Sequence, residues 1–115
     1  MIEKTILDHL SAVLDAPCGM EVPPDPPPHF VVLEKTGETR ENCIRDAILA
    51  VQSYAPTLLE AATLSEAVVA AMLNAVQLPS VAAVKLNGNY NFTDTATKQY
   101  RYQAVFDVTH YEQKG

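Results

Sequence analysis

Apolar residues recur at helical spacing at the start of the chain. They are Ile2, Ile6, Leu10, Val13 and Leu14. One apolar stripe with polar side chains between its members predicts an opening amphipathic helix. Pro17 should end this helix, because proline cannot continue the hydrogen-bond ladder and restricts the residue before it.

Residues 23–28 contain five prolines and one aspartate. Such a segment has few backbone donors and prefers extended polyproline geometry, so we expect a loop. Its composition favours a stiff connector between the helix and a sheet. The alternative is a recognition segment for a partner protein.

Two strands are predicted after this loop. Residues 30–34 are rich in β-branched and aromatic side chains, residues 35–42 form a polar turn with one glycine, and residues 43–54 return as a second strand. Apolar residues lie on both faces of the second strand, so we expect an interior strand covered by a helix. A helix over 44–52 is the competing interpretation, since alanine and leucine favour helices.

A second helix has the clearest local pattern in the chain. Thr57 and Glu60 have the spacing of a capping box, in which side chains satisfy free backbone donors of the first turn. Pro79 is expected to stop the helix. The predicted buried face consists of Leu64, Val68, Ala71, Met72, Ala75 and Val76.

The last third of the chain predicts two more strands, 81–86 and 100–111. The second alternates clearly, with Tyr100, Tyr102 and Ala104 among the side chains that should face the core. Between them, Asn-Gly at 87–88 suggests a hairpin turn. Alternatively, the glycine marks a bulge in a longer ribbon whose tip lies at 94–97.

These elements predict an α+β fold in one domain, 1–115. We expect an antiparallel or mixed sheet of four to five strands with two helices packed on it, in the order helix, strands, helix, two strands. The length of 115 residues and the 48% hydrophobic content suit one globular domain with its own core.

The net charge of −6 argues against nucleic acid as a partner, because phosphate binding needs clustered lysine and arginine. No targeting segment or membrane span is recognised, so we expect folding in the cytoplasm and no membrane partner. Cys18 and Cys43 are interpreted as reduced thiols.

Candidate chemistry is sparse. His9, His29 and His110 lack metal-ligand spacing and are expected to be exposed or half-exposed. Four glycines leave no phosphate-binding loop of the familiar types. We therefore expect no metal, no cofactor and no catalytic residue, and interpret the protein as not an enzyme.

Candidate interface residues come from aromatic and cationic positions. Tyr90 and Phe92 alternate in the polar segment 87–99, and tyrosine is enriched at protein interfaces. Cations that could form pairs between subunits are Arg40, Arg45, Lys98 and Arg101.

The order of elements resembles the tail terminator, or tail-to-head joining, proteins of long-tailed bacteriophages and prophages, a group that includes minor tail protein U. The resemblance rests on a pattern of residue types over nearly the whole chain. Its parts are the opening helix, the segments 30–37 and 45–55, the helix 60–76 and the closing strand 100–108. The proline run 23–28 is denser than expected for this family.

The resemblance implies a ring of six copies that caps the tail tube and offers a surface to the head connector. Its implied partners are other copies of itself, the tail tube protein and a head connector or neck protein. The free chain is then expected to be a monomer in solution. It implies assembly in the host bacterial cytoplasm and residence at the tail-head junction of the virion. The alternatives are a small non-catalytic binding module or another neck component.

Overall fold

The computed structural model describes residues 1–111. Its helices and strands are α1 (Ile2–Val13), β1 (Cys18–Gly19), β2 (Phe30–Glu41), β3 (Ile44–Ala55), α2 (Leu58–Asn74), a short 3-10 helix (Ala75–Gln77), β4 (Val81–Asn91) and β5 (Tyr100–Tyr111). The α+β class and the predicted order of elements are confirmed.

Five strands form one sheet in the order β1-β2-β3-β5-β4. The sheet is mixed, because β1 runs parallel to β2 while the other neighbours are antiparallel. Helix α1 packs on β1, β2 and α2, and α2 packs on β3, β5 and β4. One face of the sheet therefore carries both helices, and the molecule is elongated, at 44 × 23 × 23 Å.

The core lies between this sheet face and the helices. Alternate side chains of the two central strands fill it, namely Ala47, Leu49, Val51, Ala104, Phe106 and Val108. Strand β3 is interior, as predicted, and the competing helix over 44–52 is wrong. The twelve-residue ladder between β3 and β5 satisfies its backbone groups on a surface buried by α2.

The first hairpin is longer than predicted. Strand β2 continues through the polar segment to Glu41, and the turn lies at residues 42–43, where Asn42 has φ 57°. Gly37 does not form the turn but follows a shift in the β2–β3 register. Polar residues extend the strand here because this end of the hairpin is largely exposed, and asparagine tolerates the left-handed conformation of the turn.

The predicted stripe of α1 is too long. Ile2, Ile6 and Leu10 are buried, but Val13 is 51% exposed. The helix ends there, since Leu14 is already extended, at φ −92° and ψ 145°. Leu14 packs only partly against the core. Because the helix has already ended at Val13, Pro17 does not set its end.

Thr57 caps α2 as predicted. The Glu60 backbone N–H donates to Thr57 Oγ1 at 3.2 Å, and the Thr57 hydroxyl donates to Glu60 Oε2 at 2.8 Å. Val76, placed on the buried face by the sequence pattern, is instead exposed. The change to a 3-10 helix at Ala75 alters the angular spacing, which turns Val76 away from the sheet.

The β4–β5 hairpin is the longer ribbon with a bulge at the glycine, the second of the two predicted arrangements. Strand β4 runs to Asn91, and its register with β5 shifts between Leu86 and Gly88. The hairpin closes at an isolated bridge between Asp94 and Gln99, so the tip lies where the longer ribbon placed it. Tyr100 and Tyr102 are half-buried rather than core residues.

Strand β1 was not predicted, because two residues are too few for a periodic pattern. Its pairing places Cys18 beside Val31 and Gly19 beside Val32. The Val31 N–H also donates to the Pro17 carbonyl at 2.9 Å. The proline segment 23–28 is irregular, as expected of a loop, and returns the chain to the start of β2.

Candidate assembly surface

The six predicted interface residues fall at opposite ends of the sheet. Tyr90, Phe92, Lys98 and Arg101 belong to the arm, which we define as residues 90–101 of the β4–β5 hairpin. Arg40 and Arg45 pair with each other at the far end, beside the β2–β3 turn. The sequence could not show this division, because it depends on how the strands are paired.

Arg101 organises the base of the arm. Its Nε donates to the Phe92 carbonyl oxygen at 2.7 Å, and its Cζ lies 4.7 Å from the centroid of the Phe92 ring. The same guanidinium reaches Tyr54, with one nitrogen donating to the hydroxyl at 3.2 Å. A cation over an aromatic face is attracted by the ring quadrupole, so Arg101 fixes both rings.

A chain of side-chain hydrogen bonds crosses three strands on the sheet face opposite the helices. Tyr54 donates its hydroxyl to Gln52 at 2.9 Å, Gln52 donates to Gln103 at 2.9 Å, and Gln103 donates to the Tyr90 hydroxyl at 2.6 Å. Each polar group is held by its neighbour, so the side chains of this face restrain one another.

Tyr90 and Phe92 remain accessible although they are held. They are 44% and 40% exposed, and their rings meet edge to face with centroids 6.1 Å apart. Next to them on the same face, Phe30 and Tyr54 stack at 4.4 Å and are buried. Sequence reasoning missed Tyr54 and Gln52 as parts of this surface, because the connections run across strands.

Lys98 occupies the tip of the arm with φ 54°, a left-handed conformation that the sequence did not indicate. Asp94 restrains the same turn, since its carboxylate accepts the Ala96 N–H at 3.0 Å. Hydrogen bonds from Thr97 and Ala96 lower the pKa of Asp94, which keeps this carboxylate charged. The tip therefore presents a cation on a defined turn.

A polar cluster occupies the opposite end, beneath the start of α1. Lys35 Nζ lies 3.6 Å from Glu3 and 3.8 Å from Glu38, and Arg40 Nε lies 3.6 Å from Glu38. A cavity of about 80 Å³ adjoins this cluster, and Arg45 is among the residues that line it. Arg40 is thus paired with a carboxylate of its own chain.

His110 corrects the expectation that all three histidines are exposed or half-exposed. It is buried at 5% exposure, and its Nε2 lies 3.6 Å from Glu38 Oε1, beyond hydrogen-bond distance. Burial lowers its pKa below the ordinary 6.5, although Glu38 opposes this shift. The alternation of β5 places position 110 on the core face, a pattern that could have identified it.

An apolar groove of about 700 Å³ lies at the same end of the molecule as the arm. It runs between the end of α1, the prolines before β2 and the first turns of α2. Its lining is Val13, Leu14, Asp15, Ala16, Pro17, Pro27, Pro28, His29, Leu59, Glu60, Thr63, Leu64 and Ala67. Leu59 is 77% exposed, an apolar residue off the predicted buried face of α2.

Acidic side chains accompany the apolar lining of this groove. Asp15 is exposed, and Glu60 lies 3.3 Å from His29 Nε2. Three separate segments of the chain form the groove, so no single motif could have predicted it.

Side chains that could bind a metal are not clustered in the described part of the chain. Between residues 1 and 111, no group of three or more histidine, cysteine, aspartate or glutamate side chains could hold a metal. Cys18 and Cys43 are free, and burial raises the pKa of the Cys18 thiol.

The segment Leu58–Gln77, which is α2 with the short 3-10 helix, is long and apolar enough to cross a membrane by length and composition alone. Core helices of soluble proteins meet the same criteria. Val68 and Met72 of α2 are fully buried in the core against the sheet.

No protein-family model matches the chain, and a comparison with curated proteins finds no match either.

Proposed function

We propose that this chain is a structural virion assembly protein of a long-tailed bacteriophage or prophage. Copies of it form a ring that caps the tail tube, ends tail growth and provides the surface for head attachment. Its partners are other copies of itself, the tail tube protein and a head connector. It assembles in the host bacterial cytoplasm, becomes part of the tail-head junction and carries out no catalysis.

The observation that carries this proposal is the pair of accessible, immobilised aromatic rings in the arm. Interface aromatics contribute most when little conformational freedom is lost on binding. Tyr90 is held by Gln103 and Phe92 by Arg101, yet both keep about two fifths of their surface free. A surface ordered in this way suits contact with another protein.

The order of elements supports the proposal as well. The α+β arrangement of an opening helix, a hairpin, one central helix and a closing hairpin is the order of elements on which the resemblance rests. Fold similarity alone does not establish function, so the assembly surface has to be tested directly.

A small binding module is the second candidate, and the groove favours it. Pockets for small ligands commonly measure about 300–1,000 Å³ and are mostly apolar, as this one is. In that case the protein would act as a monomer and bind an apolar molecule between α1 and α2.

The decisive measurement is the size and shape of the assembled protein. Sedimentation velocity and electron microscopy of the full chain, alone and with tail tubes of the same phage, should show a closed ring in solution or at one end of the tube. A chain that stays monomeric in both settings and leaves tube ends bare would contradict the proposal. A monomer that binds apolar probes would support the binding module.

The arm offers a targeted variant. Tyr90→Ala combined with Phe92→Ala should fold, because both rings are partly exposed, but should fail to complete infectious tails. Tyr111→Ala is the matched control, since this exposed tyrosine lies at the far end of the sheet. Normal tail completion by the double variant would remove the arm from the assembly surface.

A further inference from the structure

We propose that the arm tip of one subunit docks into the apolar groove of the next copy, with Lys98 facing Asp15 and Glu60. This inference rests on the proposed ring and names its contact between neighbours. The occupant of the groove is therefore a second copy of this chain.

The positions of the two surfaces carry the inference. The arm extends from β4 and β5, where β4 is one edge of the sheet. The groove lies beside α1, which packs over β1 and β2 at the other edge. A head-to-tail contact that closes into a ring needs two different surfaces on opposite sides of each subunit.

The arm and the groove also lie at the same end of the sheet, measured along the strand direction. The register pairs Ala55 with Tyr100, so the arm begins at the end of the sheet where β3 leads into α2. The groove is built from the first turns of α2 and the last residues of α1, at that same end. Subunits side by side could join arm to groove with little displacement along the strands, as a flat ring requires.

Charge and polarity are complementary. The groove combines apolar walls with the carboxylates of Asp15 and Glu60, while the tip carries Lys98. The Asp94 carboxylate of the same turn is charged but accepts hydrogen bonds within that turn, whereas Lys98 has no ion pair with an acidic side chain among the described residues. In a chain of net charge −6, an exposed cation at the end of a protruding hairpin is a specific partner for an acidic rim.

Exposed apolar surface gives the contact its driving force. Leu59 projects at the groove with most of its surface free, and Phe92 exposes part of its ring at the base of the arm. Docking would remove both from water, whereas the free subunit leaves them exposed. The charges then set the register of the contact.

Two single variants test each side without touching the core. Lys98→Glu reverses the tip charge, and Leu59→Asp places a charge on the apolar groove. Under conditions in which the wild-type chain assembles, each should raise the concentration needed for assembly at least tenfold. Matched controls are Lys4→Glu, an exposed lysine of α1, and Val76→Asp, an exposed valine beyond α2. At about 0.15 M salt, where charges away from the contact are largely screened, both controls should assemble like the wild type.

Mixing the two defective variants gives the sharpest result. Leu59→Asp keeps an intact arm and Lys98→Glu keeps an intact groove, so each mixed pair has one working contact. Sedimentation velocity of the mixture should show a 1:1 dimer and nothing larger. Rings formed by either variant alone, or by the mixture, would overturn the arm-to-groove contact.

The outcomes separate this inference from the proposed function. If both variants form normal rings, the ring stands and the contact is elsewhere. If Leu59→Asp forms normal rings but no longer binds tail tubes, the groove holds the tube protein and the inference is overturned. If the wild-type chain forms no ring even on tail tubes, the proposed function fails and the inference fails with it.

Discussion

The side chain of Arg101 contacts Phe92 twice, once at its backbone carbonyl and once at its ring. The guanidinium Nε donates to the Phe92 carbonyl oxygen at 2.7 Å while Cζ lies 4.7 Å from the ring centroid. Because the two residues are also backbone partners, this pair joins β5 to the arm where regular strand pairing ends. It is the element that orders the accessible aromatic surface.

Replacing Arg101 with lysine should therefore loosen the arm. An ammonium group cannot donate to the Phe92 carbonyl and Tyr54 hydroxyl in the same planar arrangement. We expect the free energy of unfolding to fall by about 1–2 kcal/mol, the scale of one charged hydrogen bond with a cation–π contact. Urea denaturation measures this change, and hydrogen exchange at residues 92–101 should speed up.

Arg40→Lys is the matched control for that substitution. Arg40 is 61% exposed and lies 3.6 Å from Glu38, an arrangement that a lysine can also satisfy. Its effect on the free energy of unfolding should stay within about 0.5 kcal/mol. An equal decrease in the free energy of unfolding for both variants would mean that the Arg101 contacts stabilise the fold no more than the exposed Arg40 ion pair does.

Thr57 provides a test of the helix that carries the core. Thr57→Ala removes the side-chain acceptor of the Glu60 N–H and should reduce the free energy of unfolding by about 0.5–2 kcal/mol. Thr63→Ala is the matched control, because its hydroxyl donates only to the Leu59 carbonyl within the helix. Thermal or urea unfolding should show little loss for Thr63→Ala, since alanine favours helices. A larger loss at Thr63 than at Thr57 would contradict the capping role.

The elements that could be located from the sequence are those in which the pattern of apolar residues repeats along the whole helix or strand. The capped helix starting after Thr57 and the alternating strand ending near Tyr111 were both evident, because burial on one face leaves a repeating pattern. The hairpin end at Asn42 was missed because β2 becomes polar where it is exposed. Exposed strand ends lack the hydrophobic signal although they remain hydrogen-bonded.

The candidate surface was predicted only in part. Tyr90 and Phe92 were identified from alternation, but their support by Gln103 and Arg101 depends on strand register. The groove depends on α1, the proline segment and α2 meeting in space. Interactions of this kind arise from tertiary contacts, which residue types and spacings along one chain do not specify.

His110 should make stability depend on pH. Its folded pKa lies below the ordinary value of 6.5, chiefly because burial disfavours the charged ring. The unfolded chain therefore binds the proton more readily than the folded chain. The contribution of the neutral His110 ring to the free energy of unfolding is fully present above pH 6.5. It should be lost as the pH falls from about 6.5 toward the lower folded pKa. Urea denaturation between pH 7.5 and 5 measures this loss.

A substitution isolates the contribution of that ring. His110→Gln should flatten the pH dependence in this window, even if it lowers stability overall. Tyr111→Phe is the control, because this exposed side chain is the next residue along β5 and its replacement leaves the His110 ring in place. Stability that increases on acidification through pH 6.5 would show instead that the nearby Glu38 carboxylate governs His110.

Assembly itself should depend on ionic strength. Six copies at −6 each would bring a charge of −36 into one ring, and like charges oppose its closure. Exposed ion pairs between subunits, such as one made by Lys98, contribute only about 0.2–1 kcal/mol each. Apolar contacts must therefore drive closure, while the pairs set its register.

Salt changes the balance between this repulsion and those contacts. The Debye length is about 30 Å at 0.01 M salt, so repulsion reaches across a subunit that is 23 Å wide. At about 0.15 M it shrinks to about 8 Å, and most of the repulsion is screened. We expect monomers in dilute, low-salt solution and a shift to larger species as salt is added, measured by sedimentation velocity. Lys4→Glu, which makes each subunit more acidic away from the proposed contact, should need more salt for the same shift. A ring that is most stable at the lowest salt would show that attractive charge pairs, rather than apolar burial, dominate the contact between subunits.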